Sequence, residues 1–201
     1  MPISSDDPFA DIPWPAAGDI LFTEGPNPWM NAQLSLSRFA EGAYSIGYRR
    51  AGDVLVEQAA AQGGAPDLLV YPIVFCYRQY LELELKDLIK IIRRVDGLEH
   101  APLKTHNLVA LWKVARDLLD LRDHADTSDL DHAGDILRQF NEVDPGSMTF
   151  RYARDIEGAR TLPDDLRRIN LETLARVVAA VGNLLEGCST MYQEEENAAD
   201  Y

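Results

Sequence analysis

The stretch "DLLVYPIVFCYRQYLELELKDLIKIIRRV", Asp67 to Val95, constrains the fold more than any other part of the chain. It reads as one helix between the turn text "GGAP" and the loop "DGLEHAPLKT". Its first half is apolar nearly all round, which marks a buried element. The longest apolar run, Leu68 to Tyr77, is about ten residues, and a membrane span needs about twenty. Pro72 either sets the start of this helix or bends it. Yet Arg78, Glu82, Glu84 and Lys86 also lie inside it. Arg78, Glu82 and Lys86 recur every fourth residue, so they neighbour one another on one face. Two readings are open. On a solvated face they form ion pairs worth a few tenths of a kcal/mol each. On a buried face they need partners or a wet cavity.

Other segments carry the same helical period. From Met30 to Gln62, Leu36, Phe39, Ala43, Ile46, Tyr48, Ala51, Val54 and Leu55 recur at helical spacings. A third helix is expected from Thr105, as N-cap, to Arg122, with Leu108, Leu111, Trp112, Ala115, Leu118 and Leu119 inward. A shorter one covers 129–142, with Leu130, Ala133, Ile136, Leu137 and Phe140 facing the core. "VDPGS" stops it, and the alternating "MTFRYARD" reads as a short strand or extended loop. The last helix is expected over Leu171–Met191 with Asn170 as N-cap, and "EEENAADY" as a solvated tail. No βαβ alternation and no Gly-rich phosphate loop occurs. The expectation is an all-α, antiparallel four-helix up-and-down bundle with an extra short helix and an extended loop before the last long helix. It divides into an irregular acidic, Pro-rich arm at 1–28, a bundle at 29–192 with a loop insertion at 143–165, and an acidic tail at 193–201. Trp14 and Trp29 are candidate anchors for the arm.

Composition narrows function. The chain of 201 residues is 46% hydrophobic and carries a formal net charge of −14. Such a surface repels phosphate backbones and anionic membranes at long range, so neither a DNA nor a membrane partner is expected. Cys76 and Cys188 lack metal-like spacing and read as reduced, buried thiols of a cytoplasmic protein. The N-terminal text has no basic n-region and no apolar h-region, so no signal peptide is expected. Asp117, Asp120, Asp123, Asp126, Asp129, Asp131 and Asp135, with His124 and His132, lack the order of a calcium loop and read as a solvated face. No metal and no cofactor is expected.

Two segments together resemble a known family. "YLELELKDLI", a Gly-containing loop and "LKTHNLVALW" are similar to the central signature of HEPN-like domains, through Glu82, Lys86, Thr105, His106, Asn107 and Leu108. The flanking "PIVFCYRQYLELELK" and "FRYARD" look like bacterial HEPN-like proteins found beside defence genes. The resemblance implies a helical bundle, often homodimeric. Some members are metal-independent ribonucleases, and others are non-catalytic modules that bind nucleotides or partners. The nucleases place Arg-x(4–6)-His near the start of the final helix, where His serves as acid or base and Arg stabilises phosphorane charge. Here no His follows His132, and the spacing match is Arg94 with His100, at the end of the second helix and its loop.

The candidate catalytic residues are therefore Arg94 and His100, and the candidate ligand-binding residues are Arg78, Glu82, Lys86, His106, Asn107, Arg151 and Arg154. His106 either packs the loop or joins the helix start in an anion-friendly corner. Arg151 either points outward or folds over to that corner. The reading favoured is a non-catalytic binding or regulatory module acting through a nucleotide-like ligand or a protein partner. A divergent HEPN-type ribonuclease acting on RNA, and a purely structural subunit, are the alternatives.

Overall fold

In the computed structural model the described residues are 14–34, 40–61, 63–99, 101–121 and 127–199. His100, His124, Asp123, Asp126, Leu36 and Phe39 lie outside them. The chain divides into two units, Met1–Leu36 and Ser37–Tyr201. In the first, a 3-10 turn covers Pro28–Met30, capped by the side chain of Asn27. The Asn31 amide bonds Gly25 in both directions, accepting from its N–H at 2.8 Å and donating to its carbonyl at 3.0 Å. Trp14 and Trp29 are exposed.

The second unit is all-helical: α1 (Ala40–Ala60), α2 (Pro66–Val95), α3 (Leu108–Leu119), α4 (Ser128–Val143) and α5 (Leu171–Ala199). No strand occurs among the described residues. The core forms around α2, which packs against α1, α3 and α5, while α4 lies on α3 and α5. No helix among the described residues is long and apolar enough to cross a membrane.

The central helix begins at Pro66, whose missing N–H falls where a helix has no internal acceptor for it. Pro72 stays inside α2. The carbonyl that loses its donor belongs to Leu68, and both residues are exposed, so water can satisfy it. From Ile73 onward the helix is buried on several faces, with Ile73, Tyr80, Leu81, Leu85, Leu88 and Ile92 fully covered.

Several boundaries differ from the sequence reading. Residues 31–34 are not helical, and α1 starts at Ala40. Its inward face is Ser45, Tyr48, Gly52, Leu55 and Ala59, whereas Ile46 and Val54 are exposed. Gly52 makes this possible. A Cβ there would stand 2.6 Å from the Tyr77 ring, so α1 approaches α2 more closely than any other residue allows. The cap of α3 is Asn107, whose Oδ1 accepts from Ala110 at 2.8 Å; Thr105 instead accepts from the Asn107 N–H at 3.0 Å. "MTFRYARD" forms turns, with Phe150 buried and Met148 and Tyr152 half-exposed. Asn170 caps α5 as expected, accepting from Thr173 at 2.8 Å. That helix continues through "EEE" to Ala199, because Tyr192 is fully buried and Glu196 is gripped by Arg94 at 2.6 and 2.8 Å.

Candidate functional site

Two charges of α2, Arg78 and Glu82, point inward. Arg78 and Glu82 are 0% and 1% exposed, which decides between the two readings in favour of a buried network. The Arg78 guanidinium fans out to three elements. One nitrogen donates to Glu82 at 3.2 Å, Nε donates to the carbonyl of Asp144 at 3.4 Å, and Nη2 donates to the carbonyl of His106. A planar fork with donors in several directions suits this junction, where an ammonium would not reach all three acceptors. Glu82 is the other hub. Its second oxygen accepts from Lys86 at 2.7 Å and meets Nδ1 of His106 at 2.8 Å.

The neighbouring segments are shaped for this clamp. Asp144 is itself buried, and its Oδ1 accepts from the N–H groups of Met148 and Thr149 at 2.7 and 3.1 Å, which turns the chain directly after α4. Asn141 accepts from the first N–H of α3 at 3.1 Å, on Leu108. The clamp thus fastens the start of α3 and the end of α4 to the middle of α2. The whole assembly is dry at Arg78 and opens to solvent at His106, whose side chain is 63% exposed.

Burial alone would raise the Glu82 carboxyl. The hydrogen bonds and charges of Lys86 and His106 outweigh it, and Glu82 sits below the ordinary value of 4.5. A carboxyl lowered in the folded state contributes stability above the unfolded value and loses it as pH falls through the folded one. Stability against urea, measured from pH 7 down to 3, is therefore expected to drop more steeply in the wild type than in Glu82→Gln. The gap between the two should be full above pH 4.5 and should shrink below it. A gap that is constant through acid would contradict the ionic role of Glu82.

A second polar layer joins α1, α2 and α5. Arg49 donates to Glu186 at 2.8 Å and to the Tyr80 hydroxyl at 3.3 Å, and the Tyr80 hydroxyl donates to Glu186 at 2.9 Å. Nearby the Tyr77 hydroxyl donates to Asp53 at 2.8 Å. Burial pushes both phenols, and the thiols of Cys76 and Cys188, above their ordinary values. Burial also raises Glu84, which belongs to this layer through Ser45 and the charge of Glu186 rather than to the clamp.

The structure brings together Arg78, Glu82, Lys86 and His106 and uses Asn107 as a helix cap. Arg151 comes back onto α2 at Phe75, with its guanidinium 5.5 Å from the ring centre, and it donates to the Ser147 carbonyl. Among the described contacts none joins it to Lys86 or His106. Arg154 is used within its own loop, donating to the Gly158 carbonyl at 2.6 Å. Arg94 is held by Glu196. No group of three acidic, His or Cys residues among those described is arranged to hold a metal ion. Sequence reasoning missed Asp144, Asn141, Arg49, Tyr80 and Glu186. Only Asp144 left a local trace, as the acidic residue opening "DPGS".

No protein-family model, curated protein or solved structure matches this chain.

Proposed function

We propose that this protein is a non-catalytic binding or regulatory module of the HEPN-like kind. It acts as a homodimer through a protein partner or a nucleotide-like ligand at the surface corner of Lys86 and His106. The observation that carries the reading is the fate of the arginines. Arg78 is sealed among Glu82 and two backbone carbonyls, and Arg94 is gripped at the surface by Glu196. Neither is free to give a phosphorane the stabilisation that an acid or base at His106 would need beside it. The HEPN-like assignment is supported by the two halves of the signature meeting, with Glu82 touching both Lys86 and His106. The four-helix antiparallel arrangement and a defence setting belong to the same proposal.

The test is incubation of the purified chain with structured RNA in EDTA, beside a His100→Ala/His106→Ala double variant. The RNA is expected to stay intact with both proteins. Cutting by the wild type that the variant loses would overturn the reading in favour of a metal-independent ribonuclease.

A further inference from the structure

Away from the clamp, an apolar cleft of about 320 Å³ opens between α4, α5 and the segment that joins them. Phe140, Phe150, Leu166, Leu174 and Val177 form much of its wall. Its size lies at the lower end of cavities that take small organic ligands. The charge of the lining is unusual for this chain. Among the described residues that line it none is Asp or Glu, although the chain carries 33 of them. The one charged residue among those described on the cleft is Arg168.

That arginine is also unspent. Arg49, Arg78, Arg94, Arg116, Arg138 and Arg160 each hold a carboxylate. Arg168 has no hydrogen-bond or ion-pair partner among the described residues. It lies two residues before Asn170, which with Thr173 lines the same cleft at the start of α5. A second, larger cleft of about 620 Å³ offers the opposite chemistry. It is lined by Glu142, Asp155 and Asp164, and its Arg160 is paired with Asp164 at 3.6 Å.

We propose that the α4–α5 cleft binds a small amphipathic carboxylate, a medium-chain fatty acid, with its chain against Phe140, Phe150 and Leu174 and its carboxylate on Arg168. The apolar wall supplies affinity in proportion to the length of chain it covers. The planar guanidinium supplies selection for a carboxylate over a neutral head of the same length. This site is independent of the Lys86–His106 corner, so either proposal can fail without the other.

Calorimetric titration of the full-length chain with hexanoate, octanoate, decanoate and decanol, each below its micelle concentration, tests it. Affinity is expected to rise by about fourfold per added methylene along the acids. Arg168→Gln, a change at an exposed side chain, is expected to weaken decanoate by about tenfold while leaving decanol unchanged. Thermal unfolding followed alongside should move upward with decanoate. Absence of binding overturns the proposal, as does decanoate affinity unaffected by Arg168→Gln. A fall in unfolding temperature with decanoate also overturns it, because it marks detergent action on the unfolded chain.

Discussion

Arg78→Ala is expected to lower the unfolding free energy by about 3–5 kcal/mol, the cost of removing one partner of a buried ion pair. Three acceptors lose their donor at once: the Glu82 carboxylate, the Asp144 carbonyl and the His106 carbonyl. Lys86 still compensates part of the Glu82 charge and His106 still meets the same carboxylate oxygen, which keeps the loss within that range. Arg78→Lys restores the charge and not the fork, and should recover less than half of the loss. Removing both charges with Arg78→Met/Glu82→Met ought to be milder than Arg78→Ala, because the fully buried carboxylate leaves together with its arginine, and the groups that lose it, Lys86 and His106, both reach solvent. It should still cost about 2 kcal/mol, since the two carbonyls remain without donors. Urea midpoints at a constant slope would read all three. A loss below about 1 kcal/mol for Arg78→Ala would place Arg78 in the class of exposed pairs and contradict its burial.

The second large effect has the opposite sign from what helix propensity predicts. An interior Gly→Ala change in a helix ordinarily gains about 1 kcal/mol. Gly182 lies inside α5, where a Cβ would stand 2.1 Å from the Tyr80 hydroxyl and 2.8 Å from the adjoining ring carbon. Tyr80 cannot swing away, being fully buried and hydrogen-bonded to Glu186 and Arg49. Gly182→Ala must therefore push α5 off α2 or displace the tyrosine, and the expected net loss is about 2–3 kcal/mol. Gly182→Ala/Tyr80→Phe should recover part of it. The hydroxyl oxygen is gone, while the ring carbons still lie at 2.8 and 2.9 Å. A stabilised Gly182→Ala would mean that α2 and α5 are not in close contact there.

Much of this fold is legible in the sequence, and the exceptions share a cause. The apolar run around Ile73 and Tyr77 announces a buried helix, and the inward sets of α3 and α4 follow the helical period. Asn170 is readable as a cap because its side chain acts on a residue three positions on. Long-range polar geometry leaves no such trace. The acceptors that bury Arg78 are the backbone carbonyls of His106 and Asp144, which any residue would provide. The face of α1 misleads for a related reason. Ile46 and Val54 outweigh Ser45 and Gly52 on a hydrophobicity scale, yet the small residues face inward, Gly52 because α2 brings Tyr77 against it. "EEE" resembles a solvated tail until Arg94, far away in sequence, is found holding Glu196.

Of the candidate site, the meeting of Glu82, Lys86 and His106 is one of two readings the sequence leaves open, and its chemical character is not legible there. The spacing of Arg78 and Glu82 is the same for a surface ladder and for a sealed clamp. Burial distinguishes them, and the groups that meet Arg78 besides Glu82, the carbonyls of Asp144 and His106, come from outside α2. The distinction bears on the proposed function, because an arginine spent on holding helices together is not available to a phosphate.

The most direct measurement is solvent exchange of the Arg78 Nε–H, followed by nitrogen-15 NMR in the folded protein with and without RNA. The clamp predicts that this proton exchanges only when the whole domain unfolds, and that its resonance does not move when RNA is added. Exchange at the rate of a solvated arginine, or a shift of the resonance on adding RNA, would contradict the structural role of Arg78 and return it to the list of site residues.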